Sequence, residues 1–120
     1  MSEQKKLYYL SSCSTCKKIM NQLGEKLAGF EIRDIKEKPI TGEQIDEMKA
    51  LSGSYESLFS RRAMKYKSMG LAEKELTEDD YRTLIMEEYT FLKRPVFLVA
   101  GEIFVGNAAK VVEALEDALS

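Results

Sequence analysis

The 120 residues predict an α/β fold: a four-stranded mixed sheet in the order β-α-β … β-β-α, with a helical insert between strands 2 and 3. Three observations carry this. Short apolar runs at residues 7–10 and 96–100, and an alternation of apolar and charged residues at 30–35, have the make-up of strands. An apolar stripe at helical spacing separates the first two, so they are joined by a right-handed crossover and run parallel. Near the end, two apolar runs flank Gly101-Glu102 as in a hairpin, and a last amphipathic helix follows.

Taken in order, residues 7–10 are apolar and aromatic, as a buried strand requires. The next helix carries Cys16, Ile19, Met20, Leu23 and Leu27 on one face, which puts Cys16 on the packed side and Cys13 at the exposed start. Gly24 weakens its interior and Gly29 closes its end. Phe30-Glu31-Ile32-Arg33-Asp34-Ile35 alternates apolar and charged, a second strand. Thr41-Gly42-Glu43-Gln44 is a capping box with Ile45, Met48 and Leu51 behind it, and Ser52-Gly53-Ser54 breaks that helix. Residues 55–67 read as one or two short helices ending near Gly70, with Tyr55, Leu58, Phe59 and Ala63 inward. Thr77-Glu78-Asp79-Asp80 opens another helix, with Tyr81, Leu84, Ile85 and Glu88 or Tyr89 on its inner edge. Pro95 precedes the third strand, where its missing N–H costs no ladder bond. After the hairpin, Gly106-Asn107 leads into a helix with Ala108, Val111, Val112, Leu115 and Leu119 on one face. The expectation is one domain over residues 1–120, its insert spanning about 41–91.

Composition narrows the function. A hydrophobic share of 44% with 32% charged residues suits an ordinary globular chain with one core. The net charge of −2 offers no general attraction to nucleic acid, so direct binding there is not expected. No apolar run approaches the roughly 20 residues of a membrane helix. The polar N-terminus does not read as a signal peptide, which points to a cytoplasmic protein, expected as a monomer.

The chemistry concentrates in Ser11-Ser12-Cys13-Ser14-Thr15-Cys16-Lys17-Lys18, which holds both cysteines. A thiol at the head of a helix meets unpaired backbone N–H groups and the positive end of the helix dipole, and both favour the thiolate. Cys13 is therefore the expected nucleophile, with Lys17 and Lys18 adding positive charge. Cys16, one turn on, can attack a mixed disulfide formed at Cys13. The alternative for Cys16 alone is a small buried hydrophobe. With no further Cys and no His, the chain lacks the ligands of an intrachain zinc site, so no metal is expected.

The Cys13-Ser14-Thr15-Cys16-Lys17-Lys18 motif, Leu58-Phe59-Ser60-Arg61-Arg62 with Tyr66 and Gly70-Leu71, the pair Arg94-Pro95, and Val105-Gly106-Asn107 resemble the arsenate-reductase-related (ArsC/Spx) family. The likeness spans almost the whole chain, insert included. It implies a thioredoxin-like fold with Pro95 in the cis form beside Cys13. In the glutaredoxin-linked arsenate reductases of this family the first cysteine attacks arsenate among three arginines. By resemblance Cys13 is that nucleophile and Arg94 the middle arginine. The first arginine position falls on Ser60, next to Arg61 and Arg62, and the third near Gly106 and Asn107, where no cation stands. That branch usually lacks a cysteine at position 16. The Spx-like branch has the C-x-x-C pair and comprises redox-sensing regulators that bind RNA polymerase; Arg62 matches a basic residue common there.

Two expectations follow. In the first, Cys13 and Cys16 are the catalytic pair of a thiol oxidoreductase, with Arg94, Arg62, Pro95, Ser12 and Ser14 as its substrate- or oxyanion-binding set. No cofactor is bound; glutathione, glutaredoxin or thioredoxin is the reductant. Without histidine, activation falls to the helix, the backbone N–H groups and Arg94. In the second, the same disulfide switches affinity for RNA polymerase. The plain alternative for Arg94 is a surface arginine, and for Arg62, within the run Arg61, Arg62, Lys65 and Lys67, a solvated helix face.

Overall fold

The protein is described by a computed structural model over residues 5–119. Its elements are β1 (Lys5–Tyr9), α1 (Ser14–Leu23), β2 (Glu31–Asp34), α2 (Gly42–Ser52), α3 (Met64–Ser68), α4 (Glu78–Glu87), β3 (Val96–Val99), β4 (Glu102–Val105) and α5 (Ala109–Leu119). The chain forms two compact units, Met1–Lys38 with Arg94–Ser120, and Pro39–Lys93.

The first unit is the sheet with α1 and α5. Strand order is β2-β1-β3-β4; β1 and β2 are parallel and the other pairings antiparallel, as the β-α-β … β-β-α pattern predicts. Leu7 lies opposite Phe97 in the central pair. With Val99 they meet Ile19 and Leu23 of α1 and Leu115 of α5, all buried. Both helices therefore cover one face of the sheet. Each such side chain contributes on the order of 1.5–3 kcal/mol by leaving water.

Three local expectations shift. Gly24 does not sit inside α1 but ends it, at φ 52°, and the chain continues as a 3-10 turn over Gly24–Leu27. Only a residue without Cβ takes that conformation cheaply, so the α-helix stops at the glycine. Met20 and Leu27 still pack on the core from either side of the break. Ile32, on the apolar beat of β2, is 48% exposed, because β2 is an edge strand. The hairpin turn is Ala100-Gly101 instead of Gly101-Glu102, with φ 50° and 87°, and Glu102 belongs to β4. Two positive φ angles give a turn whose twist matches that of the strands.

The second unit is helical and held by caps and rings. Thr41 accepts from the Gln44 N–H while the Gln44 side chain accepts from the Thr41 N–H, at 3.2 and 2.9 Å, and Thr77 and Asp80 repeat the arrangement. Ile45 and Met48 of α2 are buried as expected, whereas Leu51 is 40% exposed near the helix end. Phe59 is fully buried, stacked on Phe91 at 5.0 Å, with Tyr81 at 4.9 Å and Tyr66 at 5.9 Å. A short backbone bridge pairs it with Leu92.

Candidate active site

The site is made by the end of β1, the loop into α1 and the residues entering β3. β1 ends at Tyr9, and the Cys13 N–H donates to the Leu10 carbonyl at 2.9 Å, turning the chain into the helix. Cys13 is the N-cap residue of α1, with extended φ and ψ of −90° and 109°. Its sulfur occupies the position a serine or aspartate oxygen usually takes: Sγ accepts the backbone N–H of Cys16 at 3.4 Å. The sequence placed Cys13 at the helix start, and this contact gives that placement an atomic form. Cys16 is fully buried and Cys13 partly exposed.

Arg94 and Pro95 arrive from the other side. β1 and β3 pair with Tyr8 opposite Val96, so two residues further out Arg94 comes level with Leu10. The Arg94-Pro95 peptide bond is cis, as the family resemblance implies. Arg94 is half-buried, and its guanidinium reaches Cys13 by both charge and hydrogen bonding. The surface-arginine alternative does not describe it.

These contacts split the two thiols. Burial works against ionisation of Cys13, but the Cys16 N–H, the Cys16 side chain and Arg94 together outweigh it, and the thiol stands below its ordinary value. Burial pushes Cys16 up to about 12; the Leu10 backbone opposes this and the neighbouring Cys13 adds to it. One sulfur is favoured as thiolate and its partner is held as thiol.

The remaining candidates lie at the surface. Ser12 and Ser14 flank Cys13 and are exposed, as are Lys17 and Lys18. Arg62 lies in the second unit, exposed in the turn before α3, and makes no hydrogen bond or ion pair among the described residues. Two of its neighbours in the basic run are engaged: Arg61 pairs with Glu56 at 2.7 Å and reaches the Tyr81 hydroxyl at 3.1 Å, and Lys65 pairs with Glu88 at 2.7 Å. Among the described residues no group of three or more His, Cys, Asp or Glu is placed to hold a metal ion, and no helix is long and apolar enough to cross a membrane.

Asp34 was not among the expected site residues. It ends β2 opposite Tyr9, and its Oδ1 accepts from the Ser11 N–H at 3.3 Å and the Lys36 N–H at 3.1 Å. Burial would raise this carboxyl, but Ser11 and the Lys36 N–H lower it by more. The available signal was an acidic residue closing a strand predicted to run parallel to β1.

Comparison with known proteins agrees with this geometry. The model of the ArsC family matches residues 8–115. The global transcriptional regulator Spx of Enterococcus faecalis is 28% identical over 104 residues, covering 83% of this chain and 76% of that protein. Among solved structures, the YffB (PA3664) protein superposes with a TM-score of 0.82 at 25% identity, covering 98% of this chain and all of that one. The arsenate reductase of Vibrio cholerae shares the fold, with a TM-score of 0.76 at 15% identity, 97% of this chain and 98% of that one. With a half-buried arginine beside an N-capping cysteine and a family match across nearly its whole length, the chain belongs to the ArsC family.

Proposed function

We propose that the protein is a thiol-disulfide oxidoreductase with Cys13 as nucleophile and Cys16 as resolving thiol. The observation that carries this is the placing of two sulfurs within one helical turn, one partly exposed as the helix cap with Arg94 reaching it and the other fully buried, an arrangement that lowers the first thiol and raises the second. The Cys13 thiolate attacks one sulfur of a disulfide, the S–S bond breaks, and the other half leaves as thiolate. That step removes the negative charge on Cys13, which had helped to hold Cys16 protonated. Cys16 then gives up its proton to solvent and attacks Cys13 Sγ. The first half of the substrate departs as thiolate, and a Cys13–Cys16 disulfide remains. Glutathione, glutaredoxin or thioredoxin returns two electrons and two protons to restore the dithiol. Arg94, through its planar fork of donors, suits a substrate with a carboxylate or oxyanion near the reacting atom, and Ser12 and Ser14 flank Cys13 in the chain.

Arsenate is the narrower version of this reading. It is less favoured here because the first and third arginine positions of the family pattern hold Ser60 and Gly106-Asn107. The test is a turnover panel on purified protein, arsenate against small disulfides, each with glutathione and glutaredoxin or with thioredoxin. Disulfide turnover lost in Cys13→Ser supports the proposal; turnover that survives this change, or none with any disulfide, rejects it.

A second reading draws on the Spx relatives, which are transcriptional regulators. Here the same disulfide would alter affinity for RNA polymerase instead of serving turnover. Co-purification with polymerase that changes with thiol state, and is lost in Cys16→Ser, would favour it.

A further inference from the structure

We propose that Asp34 is a positioning residue for Cys13: its carboxylate ties the loop after β1 to the end of β2, so that the Cys13 sulfur stays against the Cys16 N–H. This deepens the thiol-disulfide reading and rests on it.

The bonds form one short path. β2 grips the chain on both sides of Leu10: the Ile35 N–H donates to the Tyr9 carbonyl at 2.9 Å, and Asp34 Oδ1 accepts from the Ser11 N–H at 3.3 Å. Leu10, held between them, supplies the carbonyl that receives the Cys13 N–H at 2.9 Å, and its backbone also reaches the Cys16 sulfur. The carboxylate is itself braced, because the same oxygen accepts from the Lys36 N–H at 3.1 Å and the Asp34 carbonyl accepts from the Lys38 N–H at 2.9 Å. Without the carboxylate, the Ser11 N–H loses its partner and the loop keeps its other anchors only. Downstream of this path lies the Cys16 N–H to Sγ contact at 3.4 Å, an ordinary length for a sulfur acceptor, and sulfur accepts more weakly than oxygen.

A carboxylate can influence a thiolate in two ways, with opposite signs. As a nearby negative charge it would disfavour ionisation of Cys13, and its removal would make the thiol more acidic. As a brace it secures the contacts that favour the thiolate, and its removal would make the thiol less acidic. The Asp34 carboxylate oxygen is turned to the Ser11 and Lys36 N–H groups, and the contacts at the Cys13 sulfur come from Cys16 and Arg94, which favours the brace.

The experiment follows the rate of Cys13 alkylation against pH in a Cys16→Ser background, with iodoacetamide as probe. In Asp34→Ala the midpoint should rise by about half a pH unit or more, close to a threefold loss of rate at a fixed pH below it. Asp34→Asn, which keeps an acceptor but no charge, should restore the original midpoint. If Asp34→Ala does not fold, Asp34→Ser replaces it, since a hydroxyl can still serve the Lys36 N–H two residues on but is too short for Ser11. A midpoint that stays put or falls in the variant that folds overturns the role of Asp34, even where thermal stability drops. A parent protein whose Cys13 titrates at its ordinary value rejects the thiolate reading itself, so the two failures are told apart.

Discussion

Cys13 Sγ and the backbone N–H of Cys16 stand 3.4 Å apart, with the amide donating, so one sulfur of the C-x-x-C pair is the cap of the helix that carries the other. Capping and the lowering of the Cys13 thiol thus share one contact.

The two thiols should act in sequence. With an excess of an aromatic disulfide reagent, the native protein should release two equivalents of aromatic thiol per chain and end as the Cys13–Cys16 disulfide. Cys16→Ser should release one and retain the adduct on Cys13, visible as added mass. A stable adduct on the native protein would show that Cys16 does not resolve it. Cys16→Ser should also cost about 1–3 kcal/mol in urea unfolding, since a hydroxyl replaces a fully buried thiol.

The pH dependence of stability should carry opposite contributions from the pair. Cys13 titrates lower in the folded chain than unfolded. Its contribution is therefore complete above the unfolded value, about 8.5, and fades as pH falls through the folded value. Cys16 is raised to about 12, so its contribution is complete below the unfolded value and is lost as pH climbs toward about 12. The Tm advantage of native protein over Cys13→Ser should widen as pH rises from about 6 to 9, and that over Cys16→Ser should narrow above about 9. Calorimetry of reduced samples checks both slopes; a flat Cys13 difference would contradict the lowered thiol.

Phe59 should be the costliest single truncation in the second unit. It is fully buried among Tyr66, Tyr81 and Phe91. Phe59→Ala should lower unfolding free energy by about 3–5 kcal/mol. Urea denaturation with an unchanged m-value measures it, and a loss under about 1 kcal/mol would mean the ring cluster collapses around the gap.

Ala100 should be improvable. It holds φ 50° in the β3–β4 turn, a conformation costing an L-residue about 1–2 kcal/mol. Glycine takes it freely but gives back about 0.4–1 kcal/mol through the greater freedom of the unfolded chain. The steric relief is the larger, so Ala100→Gly should stabilise by about 0.5 kcal/mol. A lower urea midpoint would refute this.

What the sequence by itself determined was whatever depends on neighbours along the chain. The stripe from Cys16 to Leu23 fixed which side of α1 is buried; the Thr41 and Thr77 motifs fixed where α2 and α4 begin; the C-x-x-C spacing separated an exposed sulfur from a packed one. The motifs shared with the ArsC family named Arg94 and the cis bond at Pro95. Only the tertiary structure decided what depends on which strand lies beside which. Ile32 keeps the alternation of a half-buried strand yet is exposed, because alternation does not reveal that β2 lies at the sheet's edge. Asp34 looks like any charged strand residue until parallel pairing sets it opposite Tyr9, 23 residues from the Ser11 amide it accepts. Arg94 is a polar residue before a strand until the register with β1 brings it level with Leu10. Periodicity reports a side chain's face, whereas hydrogen bonds and charge act through space, between residues that only the folded sheet makes adjacent.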